Sequence, residues 1–280
     1  MNKQIAFIGA GSMTEAMIKG IRQKGTIESQ QITVTNRSNL NRLLQLKNLY
    51  SVQTSSSVED FIKDTNIIFL AMKPKDAKEA LQTLRPYVES HQLIISLMAG
   101  ITTAAIERSF EKEIGVIRAM PNTSASIGFS ATSLSKGLFA TKDQLAEAVV
   151  LFEAIGIVKT IEEKQMDAVT GLIGSGPAYV YFLVEAMQEA AEKLGLEDNL
   201  SETFILQTLK GATKMIESSE KTAAQLRDDV TSPYGTTEAA MNILSQHDTK
   251  ETLVQCILKA AQRSNELQLS MTNNLLNSTQ

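Results

Sequence analysis

The chain has 280 residues, a length that fits about two domains, each able to bury its own core. Its 27 basic and 31 acidic residues leave a net charge of -4, which gives no electrostatic ground for binding nucleic acid or an anionic membrane and points to small-molecule chemistry. The lone cysteine, Cys256, excludes an internal disulfide; in the apolar run LVQCILKAA it is expected to pack in a helix.

The opening MNKQIAFIGAGSM carries too short an apolar run for a signal-peptide core, so a cytoplasmic location is expected. Short apolar runs then alternate with helix-like segments: QIAFIG, MTEAMIKGIRQKG, QITVTNR, NLNRLLQLKNL, NIIFLAM, KDAKEALQTLRPYV, QLIISLMAG, TAAIERSF and IGVIRAMPN. The strand runs are continuous in Ile, Val, Leu and Phe, as in a sheet covered on both faces. The alternation therefore predicts an α/β fold, a Rossmann-type, doubly wound and mostly parallel sheet. GFSATSLS and GIVKTIEE, on either side of the helix-like KDQLAEAVVLFEAI, are the last β signals. From about Gln165 the period is helical, which predicts an all-α second domain and a boundary near Glu162 to Lys164: residues 1–163, then 164–280. Val169 to Met187 approaches membrane-spanning length, but three glycines, a proline and Glu185 make it a buried helix with a glycine-rich entry. The polar tail TNNLLNSTQ is expected to fray.

AFIGAGSMTEAM puts Gly9 and Gly11 between the first strand and the first helix, where a sharp turn lets a pyrophosphate approach backbone amides at a helix N-terminus. Thr14 replaces the third glycine of that fingerprint. The second strand ends in Asn36, Arg37 and Ser38 with no neighbouring acid, so it offers a ribose 2′-phosphate an arginine and two short donors; NADPH is preferred, with NADH as an alternative. Arg37 as a solvated loop residue is the competing reading. Later strands end in Ala71 to Pro74, Met98 to Ile101 and Ala119 to Thr123, where Ala71, Ala99 and Gly100 leave room for a flat ring. Lys73 reads as a ribose or phosphate contact ahead of a catalytic acid, with a plain loop lysine as the competing reading.

An alcohol dehydrogenation needs a proton acceptor, yet His91 and His247 sit in no motif and read as structural or surface residues. GLIGSGPAYVYF resembles the helix entry of β-hydroxyacid dehydrogenases, in which a lysine follows four residues after the last glycine; here Val180 stands there and cannot take a proton. An imine needs less: a carboxylate anchor, a neutral polar group near nitrogen and a well-placed nicotinamide. VTSPYGTTEAAM supplies a helix start rich in free amides and hydroxyls, where a small carboxylate could bind. An ordinary N-cap by Thr236 or Thr237 explains the same residues equally well.

FIGAGSM, LAMKP, MAGI, RAMPNT, DAVTGLIGSGPAY and DDVTSPYGTTEAAM, in this order over nearly the whole chain, resemble the pyrroline-5-carboxylate reductases. That family reduces 1-pyrroline-5-carboxylate to L-proline with NADPH or NADH, the last step of proline synthesis, using a Rossmann domain and a helical domain that interlocks two subunits. The resemblance implies a substrate loop of Val230, Ser232, Gly235 and Thr236 around the carboxylate, with the Thr237 hydroxyl on the ring nitrogen. It places Thr170 and Glu220 near the pocket as further catalytic candidates. It seats the nucleotide on Gly9, Gly11, Ser12, Met13, Asn36, Arg37, Ser38, Ala71, Met72, Lys73, Pro74, Ala99 and Gly100, with no metal. The domains become an NADP-binding 1–163 and a substrate-binding and dimerisation 164–280. A homodimer, or a decamer built of dimers, is the implied assembly, in keeping with apolar stripes such as Tyr179, Leu183, Met187, Phe204, Leu206 and Ile257.

Two residues depart from the family pattern. Tyr234 stands where a small residue is usual, so its side chain must point away from the pocket or narrow it, and Thr14 implies looser helix-to-strand packing. The alternatives are an inactive NADP-binding homologue with a regulatory role and a β-hydroxyacid-type reductase that uses Lys73 as proton donor.

Overall fold

The computed structural model describes residues 3–276. Among them eight strands form one sheet: β1 (Ile5–Ile8), β2 (Ile32–Thr35), β3 (Gln53–Ser55), β4 (Ile67–Leu70), β5 (Leu93–Ser96), β6 (Gly115–Met120), β7 (Ser130–Lys136) and β8 (Gly156–Thr160). Their order is β3-β2-β1-β4-β5-β6-β7-β8, and every pair is parallel except β6 with β7. The helices between them are α1 (Ser12–Lys24), α2 (Leu40–Tyr50), α3 (Ala77–Leu84), α4 (Thr103–Phe110) and α5 (Lys142–Phe152).

Continuous apolar strands are buried from both sides, as the sequence pattern requires. Phe7, Phe69, Ile95 and Ile117 face Ile18, Ile21, Leu46 and Phe152, from α1, α2 and α5. Their neighbours Ile8, Ile68, Ile94 and Val116 face Leu81, Leu84, Ile106 and Phe110, from α3 and α4. Phe7 and Phe69 stack at 4.4 Å at the centre of the first layer. Each such side chain contributes roughly 1.5–3 kcal/mol of burial, so the middle of the sheet is its rigid part. The short polar strand β3 has no apolar run to signal it; three pairs with β2 hold it at the edge.

From β1 the chain steps outward to β2 and β3, then returns to β4 on the other side of β1. That reversal opens a crevice beyond the carboxyl ends of β1 and β4, the ligand position of doubly wound sheets.

After β8 the chain is helical: α6 (Met166–Val169) with a π-helical turn at Thr170–Gly174, α7 (Gly176–Lys193), α8 (Asp198–Ser218), α9 (Ala223–Asp229), α10 (Thr236–Gln246) and α11 (Thr249–Leu276). The chain packs as two compact units, one running through Ser175 and resuming at Lys259, the other Gly176–Leu258. The change of sequence pattern near Glu162 to Lys164 is thus not where the packing divides. Asp167 accepts hydrogen bonds from Ser264 Oγ (2.7 Å) and Asn265 Nδ2 (3.1 Å), and a Cβ on Gly171 would lie 2.6 Å from the Ala261 nitrogen. These contacts bind α6 and the π turn to the later part of α11, all within the sheet-bearing unit.

In the helical unit α7 packs on α8, with Ala191, Ser201 and Ile205 buried. The expected burial of α7 is not seen: Tyr181, Phe182 and Leu183 are exposed, as are Phe204 and Leu206 on α8. Cys256 lies on α11 as expected but is exposed, not packed. Both departures have one cause, since apolar periodicity does not say whether a stripe is covered within its own chain. His91 and His247 are exposed, as expected. Among the described residues no helix is long and apolar enough to cross a membrane. α11 runs through the first part of the expected frayed tail to Leu276; residues 277–280, like 1–2, lie outside the described residues.

Candidate functional site

A cleft of about 610 Å³ opens at the strand reversal. The ends of four adjacent strands line it: Ile8 to Gly11 after β1, Thr35 to Ser38 after β2, Ser56 to Glu59 beyond β3, and Ala71 to Lys73 after β4. Gly9 turns at φ +119°, and a Cβ there would sit 2.6 Å from the Ala71 carbonyl oxygen, so the two strand ends meet only over glycine. Gly11 is the N-cap of α1 and no side chain caps the helix. A Cβ on Gly11 would meet nothing, so the space beside the N-cap of α1 is open, as a pyrophosphate at a helix N-terminus requires.

Thr14 does not loosen the packing of α1, contrary to expectation. It is fully buried and its hydroxyl donates to the Gly9 carbonyl (2.8 Å), tying helix to turn. Close approach is taken over by Gly20, whose Cβ would fall 2.5 Å from the Ala154 carbonyl oxygen. Arg42 on α2 adds a second brace: its Nε donates to the Ala10 carbonyl (3.1 Å) and its Nη2 pairs with Glu15. Tyr50 also donates to Glu15 (2.9 Å). The Arg42 hydrogen bond holds the Glu15 carboxyl below its usual range against the opposing effect of burial, while burial, then Glu15, pushes the Tyr50 phenol up. The one carboxylate in the first turn of α1 is thereby neutralised beside the amides that would face a phosphate. Sequence patterns carry no sign of this brace, because Arg42 reaches Glu15 across 27 residues.

Of the expected nucleotide residues, Gly9, Gly11, Asn36, Arg37, Ser38, Ala71, Met72 and Lys73 line the cleft. Asn36 Oδ1 accepts from the amides of Ser38 (3.1 Å) and Asn39 (2.9 Å), which orders the turn that presents Arg37. Ser12, Met13, Pro74, Ala99 and Gly100 do not line it; Ala99 is exposed, whereas Gly100 is buried, its Cβ position 3.3 Å from the Gln268 nitrogen. The expectation of no nearby acid fails in space. Glu79, from α3, lines the same cleft and pairs with Arg37.

Arg118 on β6 is a site that motif reading missed. It is wholly buried, donates to Gln268 Oε1 (2.6 Å) and lies 3.4 Å from Glu163 Oε1 and 3.9 Å from Asp167 Oδ1. Burial lowers its pKa, opposed by both carboxylates, and a guanidinium stays charged regardless. Glu163 also accepts from the Thr103 amide (2.9 Å) and hydroxyl (2.6 Å). Thr170 follows on this frame at the start of the π turn, with its hydroxyl donating to the Met166 carbonyl (2.8 Å). Asn122, at the end of β6, donates to the Ile173 carbonyl (3.4 Å) in the same turn.

In the helical unit, Val230 ends α9, and the chain turns through Ser232 to α10. Gly235, not a threonine, is the N-cap, so Thr236 and Thr237 occupy the first two helical positions and the simple N-cap reading of either is set aside. The Gly235 amide donates to the Ser232 carbonyl (3.0 Å), and Glu238 Oε2 accepts from the Tyr234 amide (2.8 Å), outside the helix. Val230, Ser232, Gly235, Thr236 and Thr237 therefore share one turn. Glu220 is exposed on the loop before α9, and Thr170 belongs to the other compact unit.

Tyr234 sits at φ +61° with its side chain fully exposed, so it neither packs nor fills the turn. Tyr234→Gly removes ~1–2 kcal/mol of left-handed strain and restores about 0.5–1 kcal/mol of unfolded-chain freedom, for an expected net gain of up to ~1.5 kcal/mol in thermal or urea unfolding. A clear loss of stability would mean that the ring makes contacts which this conformation does not provide.

Comparison with known proteins bears on both units. The family model "Pyrroline-5-carboxylate reductase dimerisation" matches residues 163–267, and "NADP oxidoreductase coenzyme F420-dependent" matches residues 4–100. Pyrroline-5-carboxylate reductase 2 of Bacillus subtilis is 47% identical over 265 residues, 95% of each chain. The pyrroline-5-carboxylate reductase of Arabidopsis thaliana is 34% identical over 95% of this chain and 96% of its own. Among solved structures, a pyrroline-5-carboxylate reductase from Coxiella burnetii aligns with TM-score 0.86 at 36% identity, covering 95% and 99% of the two chains. A pyrroline carboxylate reductase from Plasmodium falciparum with NADP bound aligns with TM-score 0.87 at 29% identity, covering 95% and 98%.

Proposed function

The chain belongs to the pyrroline-5-carboxylate reductase family, and on that premise we propose that it reduces 1-pyrroline-5-carboxylate to L-proline with NADPH, or with NADH as second donor. It is an oxidoreductase of proline synthesis. The observation that carries the reading is the first turn of α10, which presents backbone amides and two hydroxyls with no strong base among them.

The chemistry asks for no more than that. Bound NADPH supplies the hydride that adds to the imine carbon. The Ser232, Gly235 and Thr236 backbone, with Val230 in the same loop, holds the substrate carboxylate at the positive end of α10. The substrate reacts as the imine protonated on nitrogen by solvent; Thr237, at the next helical position, contacts that ring nitrogen, which keeps its proton and regains its lone pair as the C=N bond is reduced to the amine. Thr170 and Glu220 complete the catalytic set. On the nucleotide side Gly9, Gly11, Ser12 and Met13 hold the pyrophosphate, while Asn36, Arg37 and Ser38 hold the adenosine end. Ala71 to Pro74, Ala99 and Gly100 border the nicotinamide half. By role, residues 1–163 carry NADP binding and 164–280 substrate binding and dimerisation, although 164–175 and the stretch from Lys259 pack in the sheet-bearing unit.

The chain forms a homo-oligomer through its helical region, for which the dimerisation model and the exposed Phe182, Phe204, Met215 and Leu258 are the support. A homodimer, or a decamer built of dimers, and a cytoplasmic location complete the proposal.

The test is NADPH consumption by the purified protein with 1-pyrroline-5-carboxylate, and with a 3-keto acid as control. Turnover of the imine alone is expected. Turnover of the keto acid would favour β-hydroxyacid chemistry through Lys73, and turnover of neither, with NADPH still bound, an inactive homologue.

A further inference from the structure

The nucleotide cleft holds an ion pair that a pure 2′-phosphate site would not need. Arg37 Nη1 bonds Glu79 Oε2, both residues line the cleft, and their side chains are 67% and 65% exposed. The carboxylate comes from α3, 42 residues beyond Arg37, whereas a site that binds the ribose of NAD usually has its acid at the end of the second strand. Here that strand ends in Asn36 and Arg37, and the acid reaches the same place from another element.

We propose that Glu79 sets the balance between the two nicotinamide dinucleotides: it competes with a ribose 2′-phosphate for Arg37, and it accepts the ribose 2′-hydroxyl when the phosphate is missing. The inference rests on the dinucleotide reading of the cleft. The pair is exposed, so it breaks at little cost when Arg37 turns to a phosphate. Glu79 then stands near the bound phosphate as a like charge, which penalises NADPH and leaves NADH unpenalised. The other charged residues lining the cleft do not duplicate this arrangement. Glu59 is engaged by the Tyr87 hydroxyl, and Lys73, Lys75 and Asp76 form no ion pair with Arg37 or Glu79. One arginine and one glutamate thus give a single cleft two ways to hold a ribose.

The experiment is calorimetric titration of NADPH and NADH into the wild-type oligomer, Glu79→Gln, Arg37→Ala and the double variant. Glu79→Gln is expected to tighten NADPH roughly 2- to 5-fold, the range for an exposed ion pair, and to weaken NADH; unchanged NADH affinity would overturn the 2′-hydroxyl contact. Arg37→Ala is expected to weaken NADPH selectively, and on that background Glu79→Gln should no longer tighten it as it does when Arg37 is present, the signature of a coupled pair. Both nucleotides bound, with NADPH unchanged or weaker in Glu79→Gln, would overturn the competition and leave the dinucleotide reading standing. Binding of neither nucleotide by the wild-type protein would overturn both.

Discussion

Thr237→Ala is expected to lower kcat/KM for 1-pyrroline-5-carboxylate by ~10- to ~1000-fold while the Kd for NADPH stays near its wild-type value. The loss corresponds to about 1.5–4 kcal/mol, the range for one hydrogen bond at a reacting atom in a preorganised site. Thr237 is a clean target because Gly235 holds the N-cap, so its hydroxyl is not what starts the helix. Alanine is a better helix former than threonine, and α10 should survive the change intact. Steady-state kinetics with a parallel calorimetric titration of NADPH would measure the two quantities, and Thr237→Ser, which keeps a hydroxyl at the same helical position, should recover most of the rate. A fall in kcat with little change in KM would place the bond in the transition state; a rise in KM alone would make it a ground-state anchor. Equal losses in rate and NADPH affinity would move Thr237 out of the substrate site.

Where the sequence was sufficient, the reason is local physics. Gly9 and Gly11 follow a four-residue apolar strand and precede an amphipathic helix, and that order alone dictates a tight turn with open amides. The run SPYGTT likewise marks the start of α10, although the structure was needed to show that glycine takes the cap. What stayed hidden depends on distant parts of the chain. Glu79 meets Arg37 only because α3 packs beside the end of β2, and Arg42 braces the Ala10 carbonyl only because α2 lies against α1. The fingerprint position of Thr14 suggested a weakened contact, whereas a buried hydroxyl donating to the turn strengthens it. The apolar stripe of α7 was legible as a stripe, but a single chain's periodicity holds no information about which molecule covers it.

Arg118→Ala is expected to destabilise the sheet-bearing unit by about 3 kcal/mol, the lower end of the range for breaking a buried pair, because it leaves the half-buried Glu163 and Asp167 carboxylates without their fully buried cation. The loss should appear as a lower urea midpoint with an unchanged slope, and as a Tm depressed by roughly 2–4 °C per kcal/mol in a unit of this size. The geometry sets where in that range the value falls. Arg118 is fully buried, yet its Nε and Nη2 have no hydrogen-bond partner among the described residues, so its own desolvation is only partly repaid. Glu163 keeps the two Thr103 donors and Asp167 keeps Ser264 and Asn265 when the arginine is removed, which favours the lower end. Arg118→Met restores much of the lost volume while stranding the same charges, so it should remain destabilised. Adding Glu163→Gln to Arg118→Met removes one stranded charge and is expected to recover at least half of the deficit, since a buried ion pair replaced as a whole costs far less than one that is broken. A double variant no more stable than Arg118→Met would show instead that the cost lies in the lost hydrogen bond to Gln268, and that the carboxylates are satisfied without the arginine.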